Sequence, residues 1–94
     1  MKRTDDSFAS LRFTAGFFES FASRTFSASD RSSFLKALTL LDHDEAHPSL
    51  RVHALRAPFE GAWSVSASRS LRMTFVRAPN NVKVMTTCSR HYGE

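Results

Sequence analysis

The sequence has little cysteine, glycine or proline and contains no long apolar run. Its one cysteine, Cys88, cannot form an internal disulfide, and no Cys/His pair has the spacing of a structural zinc site. No apolar run approaches the roughly eighteen residues that span a membrane, and residues 1–6 turn acidic where a secretory signal turns apolar. These absences exclude a disulfide scaffold and predict a soluble, cytoplasmic protein with no metal, no cofactor and no membrane partner.

Aromatic residues are concentrated in phenylalanine, with nine Phe against one Trp and one Tyr. Together with the other apolar residues they make up 41% of a chain of 94 residues, which is enough for one core. A chain of this length buries only about 60–65% of its unfolded surface, so a second core is excluded. We expect a flexible leader over residues 1–9 and a single domain over residues 10–94.

Negative charge is scarce in the second half of the chain. Residues 1–49 carry six Lys/Arg and seven Asp/Glu, a net charge of −1, whereas residues 50–94 carry seven Lys/Arg and two Asp/Glu, a net charge of +5. Six of those seven cations are arginines, whose planar forks match phosphate groups. The pattern indicates either a surface that binds a polyanion or a solvated basic face, and charge alone favours neither.

The first half of the chain predicts one strand and two helices. Alternation over residues 10–13 is typical of a half-buried strand, and Thr14 offers a cap for a helix that ends near Arg24. Residues 27–30 form a loop with a second N-cap, and apolar residues at helical spacing then continue to Asp42 or His43. The apolar face of this second helix consists of Phe34, Ala37, Leu38 and Leu41.

After Pro48 the apolar period changes from about 3.6 to about 2. Four strands are predicted, over residues 50–55, 62–67, 71–76 and 82–86, joined by connections short enough for hairpins. The expected fold is therefore α+β, with an N-terminal strand and a helical hairpin packed on one face of a four- to five-stranded antiparallel sheet.

The alternation predicts that Arg51, His53 and Arg72 share the sheet face that the helices leave uncovered. The chain then closes with a second imidazole and a phenol, His91 and Tyr92. Phosphodiester cleavage without a metal needs a base for the ribose 2′-hydroxyl, an acid for the leaving 5′-oxygen and fixed cations for the transition state. This set of side chains contains each of those groups.

Each residue also has a plainer interpretation. On the residues alone, His53 is better explained as an exposed strand residue. Arg72 is equally a partner of Glu60 or of a carboxylate on a helix, and His91 with Tyr92 is a frayed terminus by default. Trp63 is better explained as core than as a ligand platform. Three serines at positions 64, 66 and 68 lack the glycines of a nucleophile elbow, so a serine hydrolase is rejected.

Four segments in this order and spacing resemble the RelE/ParE toxin superfamily of type II toxin-antitoxin systems, and are most similar to its YoeB and YafQ-like branches. They are His47–Leu55, Gly61–Ser64, Leu71–Phe75 and Cys88–Tyr92. The resemblance covers roughly residues 10–92. It implies the RelE-like fold, an endoribonuclease that cleaves mRNA, commonly on the ribosome, and a cognate antitoxin that neutralises it.

The resemblance also implies roles for individual residues. Arg72 matches an arginine that contacts the scissile phosphate, and His91 and Tyr92 match a terminal pair that supplies the general acid and an RNA contact. His53 falls where relatives place a general base. The residues expected to bind RNA are Arg51, Arg56, Arg69, Arg90 and His47.

Two other functions stay open at this point. Members of the ParE type poison DNA gyrase by binding and need no acid/base pair, and a degenerate member would only bind nucleic acid or an antitoxin. The two histidines favour the nuclease. A basic half left uncovered would bind RNA nonspecifically, so an acidic segment of the antitoxin is expected to wrap it.

Overall fold

The computed structural model describes residues 8–90. In chain order it has strand β1, helices α1 and α2, a short 3₁₀ helix, and strands β2 to β5. Their bounds are β1 Leu11–Phe13, α1 Ala15–Phe21, α2 Ala28–His43, the 3₁₀ helix Pro48–Leu50, β2 His53–Ala54, β3 Ala62–Ser66, β4 Leu71–Ala78 and β5 Val82–Arg90. Most of the predicted leader, residues 1–7, and the predicted site residues His91 and Tyr92 lie outside the described residues.

The five strands form one sheet in the order β1-β5-β4-β3-β2. Strands β2 to β5 make the predicted antiparallel meander, but β1 pairs with β5 in parallel, with Leu11 beside Lys83. The four antiparallel strands confirm the prediction, and the parallel β1 at one edge makes the whole sheet mixed. The hairpins of the meander fix the direction of β5. Both helices and strands β2 to β4 separate β1 from β5 in the chain, so no hairpin forces these two strands to be antiparallel.

Both helices begin at the predicted caps. The Thr14 hydroxyl accepts from Phe17 N at 3.0 Å, and Ser27 and Asp30 form a reciprocal capping box with both bonds at 3.0 Å. The buried face of α2 is the one predicted, and it packs with the inward residues Leu71, Met73 and Phe75 of β4 in one core. Within residues 8–90, neither helix has the length and apolar character needed to cross a membrane.

The predicted strand over residues 50–55 is mostly absent. His47 is extended, as expected before a proline, but Pro48 then starts a 3₁₀ helix instead of a strand, and Leu50 turns into the core. Arg51 ends that helix in the left-handed conformation, at φ 48° and ψ 45°. Only two residues remain for β2, so Arg51 and His53 do not share a strand face as predicted.

The turn between β4 and β5 has the conformation that the sequence predicts, whereas a β-bulge in β5 was not predicted. Asn80 and Asn81 both have positive φ, 66° and 62°, as a tight hairpin turn requires. Between Thr74 and Phe75 the pairing with β5 shifts by one residue, so Met85 and Cys88 both face the core although they are three residues apart. This β-bulge explains why the alternation ends at residue 86 in the sequence while β5 continues to Arg90.

One buried carboxylate, that of Asp42, joins the segment before β1 to the end of α2. The side chain of Asp42, at the end of α2, is 4% exposed and accepts bonds from Ser10 N at 2.7 Å, Ser10 Oγ at 2.6 Å and Ala9 N at 3.2 Å. Burial acts to raise the pKa of Asp42, but these hydrogen bonds outweigh it and hold the pKa below its ordinary value. Asp42 thereby anchors β1 to the helical layer.

Candidate functional site

The sheet face away from the helices, here called the open face, is lined by short hydroxyl side chains. Strand pairing places His53, Ser64, Thr74 and Thr87 in one row across β2 to β5. The neighbouring row, two residues along the strands, consists of Ser66, Arg72 and Ser89. Because paired residues in antiparallel strands point to the same side, His53 and Arg72 share the open face as predicted.

The hydrogen bond of His53 fixes which of its ring nitrogens carries the proton. Nδ1 lies 2.8 Å from the carbonyl oxygen of Arg51, and that oxygen can only accept. Nδ1 therefore donates, and the neutral ring keeps its lone pair on Nε2. The side chain is exposed, so this lone pair is available to take a proton from a bound molecule.

His47 is oriented in the opposite sense. Its Nδ1 accepts from Ser49 N at 3.2 Å and caps the 3₁₀ helix, so the lone pair is used inside the protein and Nε2 carries the proton of the neutral ring. The Ser49 hydroxyl lies 2.9 Å from the same nitrogen. His47 can donate a hydrogen bond outward, but as a neutral ring it cannot act as a base there.

The guanidinium of Arg72 is held by the turn between β3 and β4. Its Nη1 donates to the carbonyl oxygens of Ser68 at 2.8 Å, Leu71 at 3.1 Å and Arg69 at 3.2 Å. Among residues 8–90, no carboxylate pairs with Arg72, and its Nε and Nη2 have no protein acceptor. Arg72 therefore presents an oriented positive charge with free donors, which is the arrangement that binds a phosphate.

His53 and Arg72 lie two strands apart and two residues apart along the strands. Standard sheet spacings put their Cα atoms roughly 12 Å from each other, which leaves room for one phosphodiester between the two side chains. Next to Arg72 on β4, the Thr74 hydroxyl bonds those of Thr86 at 2.7 Å and Thr87 at 2.6 Å across the bulge, on the side away from His53. The row of hydroxyls gives this part of the open face a polar floor.

A cavity of about 740 Å³ opens where β3 leads into the β3–β4 hairpin, next to the open face. This basic cleft is bounded by α2, the 3₁₀ helix and that hairpin. Among the described residues, four cations and no carboxylate line it. The cations are Lys36, Arg51, Arg69 and Arg72. Arg72 belongs to both surfaces, so the cleft and the open face are continuous.

The structure does not bring all the predicted RNA-binding arginines to this region. Arg90 lies on the helix-covered side of β5, where its Nη2 bonds Asp30 Oδ2 at 2.7 Å and its guanidinium lies over Phe26. This contact and the N-cap bonds from Ser27 lower the pKa of Asp30. Arg56 is exposed in the loop after β2 and does not line the cleft.

Lys36 is the site residue that the sequence did not indicate. It lies on α2, in the half of the chain without excess positive charge, one helical turn before Leu40, which also lines the cleft. No local pattern separates it from any other solvated helical lysine. Only the packing of α2 beside the 3₁₀ helix and the β3–β4 hairpin shows that it joins three arginines.

The thiol of Cys88 is unsuited to chemistry at this site. Cys88 faces the core, where burial raises the pKa of its thiol to about 11, so it is not a nucleophile near neutral pH. Within the part of the chain that the structure describes, no three His, Cys, Asp or Glu side chains come close enough together to hold a metal ion.

No protein-family model matches the sequence, and no curated protein matches it. Solved structures do match in fold. One is a YoeB/ParE toxin from Agrobacterium tumefaciens, at 13% identity and a TM-score of 0.69, covering 87% of this chain and 98% of that one. Another is a YoeB–YefM complex from Staphylococcus aureus, at 17% identity and a TM-score of 0.65, covering 87% and 95%.

YafQ from Escherichia coli matches at 8% identity with a TM-score of 0.62, covering 85% of this chain and 90% of that one. The structure thus belongs to the two-layer α+β class, in which two helices cover one face of a mostly antiparallel mixed sheet. Within that class it has the same fold as these YoeB/ParE, YoeB and YafQ structures, which confirms the predicted RelE-like fold.

Proposed function

We propose that this protein is the toxin of a type II toxin-antitoxin system and that it cleaves mRNA without a metal. The observation that carries the proposal is the pairing, on one open sheet face, of an imidazole with an outward lone pair and an arginine with free donors. They are His53 and Arg72. The fold supports it, because the Agrobacterium tumefaciens structure that shares this fold is a YoeB/ParE toxin.

The proposed reaction is an internal transfer at phosphorus. His53 Nε2 takes the proton of the ribose 2′-hydroxyl, the 2′-oxygen bonds to phosphorus, and the bond from phosphorus to the 5′-oxygen breaks. The leaving 5′-oxygen takes a proton from a general acid, and Arg72 stabilises the charge that builds on the phosphoryl oxygens. The products are a 2′,3′-cyclic phosphate and a 5′-hydroxyl.

We assign the general acid to His91 and an RNA contact to Tyr92. Both lie outside the described residues, so the support comes from the strand that leads to them. Ser89 in β5 pairs with Arg72 on the open face, two residues before His91. Each well-placed proton transfer contributes about 10²–10⁴ in rate.

The proposed partners are mRNA, met in the cytoplasm on the ribosome, and an antitoxin that covers the open face. The charge of the second half of the chain, +5, supports both, since each partner would be a polyanion or carry an acidic segment. A second support is that the Staphylococcus aureus structure that matches this chain in fold is a YoeB–YefM complex.

Inducible expression in a bacterium tests the proposal. The wild-type protein is expected to stop growth while transcripts are cut, and Arg72→Ala is expected to relieve both effects. Arg24→Ala removes an exposed arginine at the end of the helical hairpin and serves as the charge-matched control. Growth arrest by Arg72→Ala as strong as that of the wild type would contradict the proposed mechanism.

A gyrase poison of the ParE type is the second candidate, favoured by the fold shared with the YoeB/ParE toxin from Agrobacterium tumefaciens. It predicts DNA damage signalling with intact transcripts, and it does not need His53. The same expression experiment separates the two functions if transcript integrity and the DNA damage response are measured together.

A further inference from the structure

The basic cleft has an apolar floor and a cationic rim. Ala37 and Leu50 are buried beneath it, and Leu40 is half-buried beside them. Lys36, Arg51 and Arg69 are exposed around it, and none of them pairs with a carboxylate among residues 8–90. Together they match a nucleotide, whose flat base would contact the apolar floor and whose phosphate would contact the cationic rim.

Three other cations among residues 8–90 are paired with carboxylates. Arg77 forms an ion pair with Glu45, which also lies 3.7 Å from Lys83 Nζ, and Arg90 pairs with Asp30. Among the described residues, four cations and no carboxylate line the cleft. The cleft therefore concentrates positive charge and attracts anions.

We propose that the basic cleft is a second subsite for the RNA substrate, which binds a nucleotide next to the one that is cut. It rests on the proposed function. It adds Lys36 to the residues expected to bind RNA, and it assigns Lys36 and Arg51 to a backbone phosphate away from the scissile bond. The strand would run from the open face past Arg72 into the cleft. Arg72, which lines both surfaces, marks where the two subsites meet.

The backbone at Arg51 supports a binding role. A non-glycine residue in the left-handed region is uncommon and strained, and glycine or asparagine would adopt it more readily. The conformation directs the chain out of the 3₁₀ helix and places Arg51 on the rim of the cleft while its carbonyl oxygen holds His53. An arginine at this strained position is explained if its side chain binds the substrate.

Binding of a ten-nucleotide oligodeoxythymidylate, measured over a series of salt concentrations, tests the inference. This probe has no 2′-hydroxyl, so the proposed reaction cannot cut it. Lys36→Gln is expected to weaken binding severalfold and to reduce the slope of log K against log salt by about 0.7. Arg12→Gln removes an exposed cation from β1, at the opposite edge of the sheet, and is expected to change both quantities much less.

Arg51→Gly keeps the test independent of folding. Glycine adopts the left-handed conformation without strain, so this variant is expected to melt at the same or a higher temperature and yet to bind the oligonucleotide more weakly. Binding by Lys36→Gln and Arg51→Gly that equals binding by Arg12→Gln would overturn the inference. The inference would also be overturned if these two variants bound the oligonucleotide normally but lost binding of polyglutamate. The cleft would then be a site for an acidic peptide.

The inference and the proposed function fail in different ways. If the cleft variants lose oligonucleotide binding but the wild type cuts no RNA, the subsite for nucleic acid stands and the nuclease does not. If the wild type and both cleft variants cut RNA equally well at limiting substrate, the nuclease stands and the subsite falls.

Discussion

At the scale of single residues, the direction of one hydrogen bond distinguishes two histidines that look equivalent in the sequence. His47 and His53 are both imidazoles in the segment around Pro48, and the sequence predicts a role in RNA binding or cleavage for each. The structure gives His53 a carbonyl acceptor at Nδ1 and His47 a backbone donor, so only His53 has its lone pair directed outward. Such a distinction depends on backbone geometry after the proline, which no spacing in the sequence encodes.

Loss of the base is the first prediction at this scale. His53→Gln keeps a polar side chain on β2 but removes the basic nitrogen, so RNA cleavage by the purified protein is expected to fall by about 10²–10⁴. His43→Gln changes an exposed imidazole at the end of α2 and is the matched control, with cleavage expected to stay at the wild-type rate. Equal rates for His53→Gln and the wild type would remove His53 from the mechanism.

A second prediction concerns the buried carboxylate Asp42. Asp42→Asn places an amide against backbone and hydroxyl donors, so the free energy of unfolding in urea at pH 7 is expected to fall by about 1–3 kcal/mol. The pKa of Asp42 is lowered in the folded protein, so its contribution is present above about pH 4 and is lost as the pH falls further. Wild type and variant should therefore differ less at pH 3 than at pH 7. A constant difference would contradict this assignment.

At the scale of elements, the sequence predicted those parts that depend on neighbouring residues. The two helix caps, the buried face of α2 and the turn at Asn80 and Asn81 are confirmed because each is determined within a few residues. The parallel pairing of β1, the 3₁₀ helix at Pro48 and the bulge opposite Thr74 were not predicted. The pairing of β1 and the bulge depend on contacts between segments far apart in the chain. The 3₁₀ helix has a local cap at His47, but its Leu50 is buried in a core that distant segments build.

The hairpin between β4 and β5 gives a prediction at this scale. Asn81 has a φ of 62°, and glycine is favoured at the second position of a turn with two positive φ angles. Asn81→Gly is therefore expected to leave the free energy of unfolding unchanged or to raise it by up to about 1 kcal/mol, whereas Asn81→Val should lower it by at least about 1 kcal/mol. Urea unfolding measures both, and a more stable valine variant would contradict the turn conformation.

At the scale of the whole molecule, some cations form ion pairs within the fold and others line the basic cleft. The sequence located the excess of positive charge in the second half of the chain but could not say which cations are free. The structure pairs Arg77, Lys83 and Arg90 with carboxylates and leaves Arg51, Arg69 and Arg72 at the cleft. The candidate site is therefore smaller than the basic half and includes Lys36 from the other half.

The chemistry of the RNA ends tests the central claim most directly. Purified protein is incubated with free mRNA and with mRNA on programmed ribosomes, in EDTA for the free RNA, and the new ends are identified. We predict 2′,3′-cyclic phosphate and 5′-hydroxyl ends, lost when the nucleotide before the cut carries a 2′-deoxyribose and strongly reduced in His53→Gln. Ends with a 5′-phosphate, or cuts that survive the 2′-deoxy substitution, would contradict the account.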